Sequence, residues 1–259
     1  MGAIAEAVRI LGVRVDNVTT EGTLDILERF VAEGGPHQVV TVNPEFIVEA
    51  QHNAQFRAVL DQADLALPDG VGLMWASRLL APRGKGGLGR PLRERVTGSD
   101  TVPLIARLCA RRGYRMFLLG AAPGVAKEAG AIMTRDNPGL QIVGTYAGSP
   151  DPSEEDEIIA RIGRASPDFL LVAYGAPRQD LWIRRNFQRL AVHVCMGVGG
   201  TLDFIAVVAV RAPRWMRRVG LEWLHRLCHQ PWRWRRMLAL PRFGYLVMRQ
   251  RFSVGARRN

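Results

Sequence analysis

Cysteine is scarce in this 259-residue sequence, and the three present, Cys109, Cys195 and Cys228, lie far apart with no Cys-x-x-Cys pair. That excludes a disulfide-stapled fold and a zinc ribbon, and favours a reducing compartment. Long hydrophobic runs are also missing. The most apolar stretch, 193–210, is broken by His193, Gly197, Gly199, Gly200 and Asp203, so no membrane-spanning helix of about 18 residues is expected. The first residues carry Glu6 and no long apolar core, and are not read as a secretory signal. The turn Gly120–Gly124, which follows an apolar run, is neither Gly-x-Gly-x-x-Gly nor a Walker loop, which removes the best evidence for a dinucleotide enzyme or a P-loop protein. There is no nucleophile elbow and no convincing Ser/His/Asp set. No Asp-x-Asp occurs either, so a diphosphate leaving group would need arginines or helix ends instead of a metal on paired carboxylates. His225, Cys228 and His229 lie close in sequence, but a fourth ligand is not apparent, and no metal is expected.

What is present is a globular composition, 47% apolar and 23% charged, long enough for a full core. The net charge of +11 is unevenly placed. From Arg211 to Asn259 there are thirteen Arg, no Lys and a single acid, Glu222, whereas the preceding 210 residues hold 22 basic and 23 acidic side chains. Four of the six Trp, at 215, 223, 232 and 234, share the basic segment. The division expected is a near-neutral α/β body, residues 1–210, and a basic, amphipathic helical C-terminal appendage, residues 211–259. Met216, Val219, Trp223, Leu224 and Leu227 recur there at helical spacing, bordered by Arg217, Arg218 and Arg226. Trp beside Arg suits the headgroup layer of an anionic membrane. Packing on the body with only the arginines exposed is the plainer alternative. Nucleic acid is the weaker partner, because the segment is rich in apolar residues and the body has no binding motif.

The body alternates strand and helix. Apolar, β-branched runs at 37–43, 63–67, 114–119, 140–146, 168–174 and 193–198 predict strands. Helices are predicted at 23–32, 99–112, 154–162 and 179–190, the second stopping at Gly113. Near-continuously apolar strands separated by helices imply a Rossmann-like, mostly parallel sheet covered on both faces. The Gly-rich, basic segment 81–89 reads as a loop.

Ligands of such sheets sit beyond the carboxyl ends of the strands, which here carry polar and small residues. Asp69 lies in Pro-Asp-Gly, a turn signature, or serves as a general base. Asn43 caps the next helix or holds a sugar hydroxyl. Thr41 faces one side of the sheet or the other. Gly120–Gly124 and Gly197–Gly200 are ordinary turns, or bring helix-start amides to a phosphate. Arg95, Thr97 and Asp100 are a solvated arginine and a helix cap, or part of the crevice.

Several segments, in order and over nearly the whole chain, resemble the WecG/TagA/CpsF family of bacterial glycosyltransferases. They are TVNPEF (41–46), ADLALPDGVGL (63–73), RVTGSD (95–100), FLLGAAPGVAKEA (117–129), GTY (144–146), YGAPRQD (174–180), GVGGTLDF (197–204), RAPRW (211–215), GLEWLHRL (220–227) and PWRWRR (231–236). The chain departs from the family's usual pattern at Asp180, Leu202, Val207 and His225.

The resemblance implies an inverting, metal-independent transfer of a sugar, of N-acetylmannosamine type or glucose, from a UDP-sugar to a polyprenyl-diphosphate-linked saccharide. It implies action as a peripheral protein at the cytoplasmic face of the inner membrane, with no cofactor. Asp69 would deprotonate the acceptor, with Thr41, Asn43, Arg95 and Gln179 around it. Gly120, Gly124, Gly199, Gly200 and Asp203 would hold the UDP, Tyr146 would join the substrate-binding set, and Arg226, Arg233 and Arg236 would reach the diphosphate. Homo-oligomerisation stays open. A non-catalytic nucleotide- or membrane-binding α/β module is the alternative.

Overall fold

A computed structural model describes residues 6–81, 90–213, 215–216 and 220–256, without the side chains of Arg226, Arg233 and 253–256. The Gly-rich segment 82–89 lies outside the described residues.

The chain opens with a hairpin that the sequence reading did not anticipate. Strands β1 (Ala7–Ile10) and β2 (Val13–Asp16) pair antiparallel, Ile10 opposite Val13. Leu11 and Gly12 make the turn with positive φ at both positions, as a two-residue hairpin that matches strand twist requires. Val8, Ile10, Val13 and Val15 are buried, while Arg9 and Arg14 face outward to Asp61 and Asp16.

The main sheet has six parallel strands: β3 (His37–Val42), β4 (Leu65–Pro68), β5 (Arg115–Gly120), β6 (Gln141–Tyr146), β7 (Phe169–Ala173) and β8 (Val194–Gly197). Their order is β4-β3-β8-β7-β5-β6. The hairpin guards the β4 edge: the fully buried Asp16 accepts the Ala66 N–H at 2.8 Å, so this outer strand keeps a bonded edge. Strand alternation sends side chains to opposite faces. On β3, Val39 joins the core beneath α1 (Thr20–Glu33), α5 (Gly98–Arg112) and α6 (Val125–Asp136), whereas Val40 and Val42 join the opposite one. On β7, Phe169 and Leu171 face the first core, and Leu170 and Val172 pack with α7 (Glu155–Ala165) and α8 (Arg178–Asn186). The α/β sheet covered on both faces is as the sequence implies.

Polar residues set where helices begin. Thr97 starts α5 by accepting the Asp100 N–H at 3.1 Å, and Gly113 ends it in the left-handed conformation. Asn43 starts α2 (Pro44–Glu49), with Pro at a first-turn position, where its missing N–H costs nothing. Helices α3 (Ala54–Gln62), α4 (Val71–Leu80) and α9 (Thr201–Ile205) complete the body.

The basic segment is helical and docked. It contains α10 (Glu222–His229), a 3-10 turn at Pro231–Arg233, α11 (Trp234–Met237) and α12 (Ala239–Ala256). From α12, Phe243 and Val247 enter the core shared with the hairpin, α2 and α4. Gly72 permits this approach: a Cβ there would lie 2.8 Å from Pro44 Cγ and 3.6 Å from Phe243 Cε1. Among the described residues, no helix is long and apolar enough to cross a membrane.

Candidate active site

The carboxyl ends of β3, β4, β7 and β8 meet the basic segment around a crevice of about 220 Å³. Asp69 follows β4 at its floor. Its backbone N–H bonds the Val42 carbonyl at 2.7 Å, and its Oδ2 accepts the Gly98 N–H at the start of α5 at 3.4 Å. Removal from bulk water raises the Asp69 pKa to about 7. The Gly98 N–H and the charge of Arg95 pull it down, while Glu222 and Asp100 push it up. A carboxyl balanced near neutrality accepts a proton and returns it at physiological pH.

Strand alternation decides Thr41. It is buried and shares the face of Val39, and its methyl would lie 3.4 Å from a Cβ at Gly98. Asn43 follows β3 and does two things at once. Its Oδ1 accepts the Phe46 N–H at 2.9 Å, while the residue lines the crevice, so its Nδ2 is the group left for a ligand. Gln179, at the start of α8, is 1% exposed, and its Oε1 accepts the Gly199 N–H at 2.9 Å. It thus fixes the glycine loop after β8. Gly197 makes room for both side chains: a Cβ there would lie 2.5 Å from Gln179 Nε2 and 2.6 Å from Asp180 Oδ1, so both would have to move.

Asp180 is wholly buried behind this loop, with neither carboxylate oxygen in hydrogen-bond geometry to a donor. Burial raises its pKa to about 7, against the pull of the Gln179 amide. It stands one layer behind the crevice, where the neutral acid is the favoured form.

Of the residues proposed from sequence, the crevice gathers Thr41, Asn43, Asp69, Gln179, Gly199, Gly200 and Arg236. Arg95 acts on Asp69 through its charge but does not line the crevice. Asp203 does not line it either; its neighbours Thr201 and Phe204 do. Gly120 and Gly124 sit one strand further on. The turn joins the crevice wall through the Ala121 N–H, which bonds Ala173 of β7 at 3.1 Å. Connections leave β5 and β7 in opposite directions across the sheet, and this switch point is where such sheets take nucleotides. Tyr146 is at the end of the edge strand, under the Arg161 guanidinium, 4.4 Å from the ring centroid. The side chains of Arg226 and Arg233 lie outside the described residues. Among the described residues no three His, Cys, Asp or Glu groups converge as metal ligands; His225 and His229 stack on each other, their rings 4.2 Å apart.

Thr97, read from sequence as a helix cap or part of the crevice, is both; the sequence reading missed Glu222, Glu45, Ser99 and Thr201, all of which line the crevice. Glu222 had a signal, as the single acid among thirteen arginines. Its charge reaches Asp69 from α10. Arg236, from α11, holds Glu45 of α2 at 2.9 Å, and Arg211 holds Asp100 at 2.6 Å. The basic segment therefore supplies one wall of the crevice.

A carboxyl at the strand ends of a parallel α/β sheet, beside glycine turns and arginines, has the layout of a group-transfer enzyme. The chain belongs to the glycosyl transferase WecG/TagA/CpsF family, whose model matches residues 8–257. It is similar to proteins named N-acetylglucosaminyldiphosphoundecaprenol N-acetyl-beta-D-mannosaminyltransferase. The Bacillus spizizenii protein is 35% identical over 82% of this chain and 78% of its own length. The Bacillus subtilis protein is 32% identical over 88% and 85%, and a Staphylococcus aureus protein 28% over 95% and 94%. The chain is accordingly a glycosyltransferase, and the reading as a non-catalytic module is set aside.

Proposed function

We propose that the protein transfers an N-acetylmannosamine-type sugar from its UDP derivative to a polyprenyl-diphosphate-linked saccharide, with inversion and without a metal. The observation that carries the mechanism is Asp69, a carboxyl with a pKa near 7 at the floor of a crevice lined by Thr41, Asn43 and Gln179. The relatives' names support the acceptor, a saccharide on a diphosphoundecaprenol.

Asp69 takes the proton of the acceptor hydroxyl. The freed oxygen attacks the anomeric carbon from the face opposite the phosphate. The bond from that carbon to the phosphate oxygen breaks, its electrons leave with UDP, and one displacement inverts the centre. The Gly120–Gly124 turn and the loop at Gly199 and Gly200 bring backbone amides to the leaving diphosphate. Arginines of the basic segment offset its charge. Residues 1–210 carry the nucleotide and the base; residues 211–259 close the site and meet an anionic membrane, on its cytoplasmic face. Trp215, Trp232 and Trp234 are more than half exposed, as interfacial anchors are.

The test is transfer from a panel of UDP-sugars to synthetic polyprenyl-diphosphate saccharides, in detergent with EDTA. Wild type is expected to transfer. Asp69→Asn is expected to lose activity by roughly 10²–10⁴-fold, the usual worth of a general base. Undiminished transfer by Asp69→Asn would move the base elsewhere, and loss of wild-type transfer in EDTA would restore a metal.

A further inference from the structure

A second hollow, of about 560 Å³, adjoins the crevice between α2, α3, the Ala176–Pro177 turn and the junction of α11 with α12. Its size falls within the range of about 300–1,000 Å³ typical of small-molecule pockets. Its floor is apolar: Phe46, Val48 and Phe56 are each at most 5% exposed. Leu238 and Ala239 form the facing wall, and Leu238 is 57% exposed. Arg235, Arg236 and Arg242 stand along one rim. Arg236 is held by Glu45; Arg235 and Arg242 have no carboxylate partner among the described residues.

The groove is continuous with the crevice. Glu45, Phe46, Ala176 and Arg236 line both. A ligand that runs from Asp69 past Arg236 thus leaves a polar, carboxylate-floored space. It crosses a cluster of arginines and enters an apolar channel whose wall includes the exposed Leu238. That succession, hydroxylated head, anion, hydrocarbon, is the order of groups in a saccharide on a polyprenyl diphosphate.

We infer that this groove receives the first isoprenoid units of the acceptor, with its diphosphate at the Arg235–Arg236–Arg242 rim. The inference rests on the acceptor class proposed above. Apolar burial in the groove supplies the affinity of the lipid. The arginines set how far the chain enters, and so place the terminal sugar at Asp69. Longer prenyl chains continue into the bilayer.

The experiment is calorimetric titration with farnesyl diphosphate, farnesol and inorganic diphosphate, on wild type, Ala239→Phe and Leu238→Glu. Ala239→Phe fills the groove, and Leu238→Glu puts a charge on its exposed wall, where folding is not at stake. Thermal melts confirm that both variants fold. Farnesyl diphosphate is expected to bind wild type at least tenfold more tightly than either farnesol or diphosphate. Both variants are expected to lose at least that factor, while binding to phosphatidylglycerol vesicles stays at the wild-type level. Equal farnesyl diphosphate affinity in wild type and both variants would overturn the proposal. So would loss of vesicle binding in step with it, since the groove would then be reading bilayer headgroups. Failure of sugar transfer with groove-dependent farnesyl diphosphate binding strikes the proposed function alone; transfer with groove-independent binding strikes this inference alone.

Discussion

The proposed role of Asp69 as base requires that it arrive deprotonated. With its pKa raised to about 7, kcat/KM should rise as pH increases through that value and level off above it. Glu222 adds to the upward shift through its negative charge. In Glu222→Gln the rise should therefore move to lower pH, and a pH–rate profile of the two proteins checks this. The same burial acts on stability, with a definite sign. A carboxyl raised from 3.8 to about 7 favours the folded state most where it is protonated. That contribution is complete below about pH 3.8 and is lost as pH rises through 7. Asp180→Asn should thus melt higher than wild type at pH 8, with the advantage shrinking toward pH 4. Thermal melts at the two pH values decide it.

At the scale of the element, glycine turns carry the strand ends. Gly120 has φ +96, and a Cβ there would lie 2.8 Å from the Ala173 carbonyl carbon, which is backbone and cannot swing away. Gly120→Ala should cost roughly 1–3 kcal/mol, read as a fall in melting temperature of several degrees for a domain of this size. Gly124, with open space around its Cβ position, should lose less when replaced by alanine, from its φ of +87 alone.

Much of this was legible in the sequence. The strands are short apolar runs that have no other use, and α5 announces its end with Gly113. The hairpin escaped notice because each arm has only four residues and the outward ones are arginines, so its alternation is too brief to register. The sheet order was not legible, because β8 enters between β3 and β7 through packing that no local pattern records. At the site, Asn43, Asp69 and Gly199 follow strands directly and could be read from that rule alone. Gly120, Gly124 and Tyr146 obey the same rule, yet the fold sets them beside the crevice instead of in it. Thr201 and Glu222 were silent, since they join the crevice only once distant segments are folded together.

The whole molecule separates its charge: a near-neutral body, and a segment that adds a net +12 and most of the exposed large aromatics. Each arginine near an anionic surface is worth about 1 kcal/mol, screened by salt. The double variant Trp232→Ala, Trp234→Ala should bind anionic vesicles more weakly than wild type while keeping its melting temperature, because both rings are over half exposed. Vesicle sedimentation at low and high salt is the measurement, and unchanged binding would place the membrane contact elsewhere. Removing the entire segment is a poorer test, since it would strip Phe243 and Val247 from the core.

The same docking ties the ends of the chain together. Leu11, in the first hairpin, donates its N–H to Gln250 Oε1 at 3.2 Å, across 239 positions of sequence. One face of the sheet, with α1, α5, α6 and α9, is complete without either end, whereas the other closes only when the first and last elements meet. Loop closure over such a span is entropically slow to reward. Folding should therefore run in two stages, with amides of the inner strands gaining protection from exchange before those of the hairpin and α12. Until the second stage ends, the hydrocarbon that α12 covers on Phe46 and Leu73 is open to solvent, and the half-closed chain is the species a chaperone would meet.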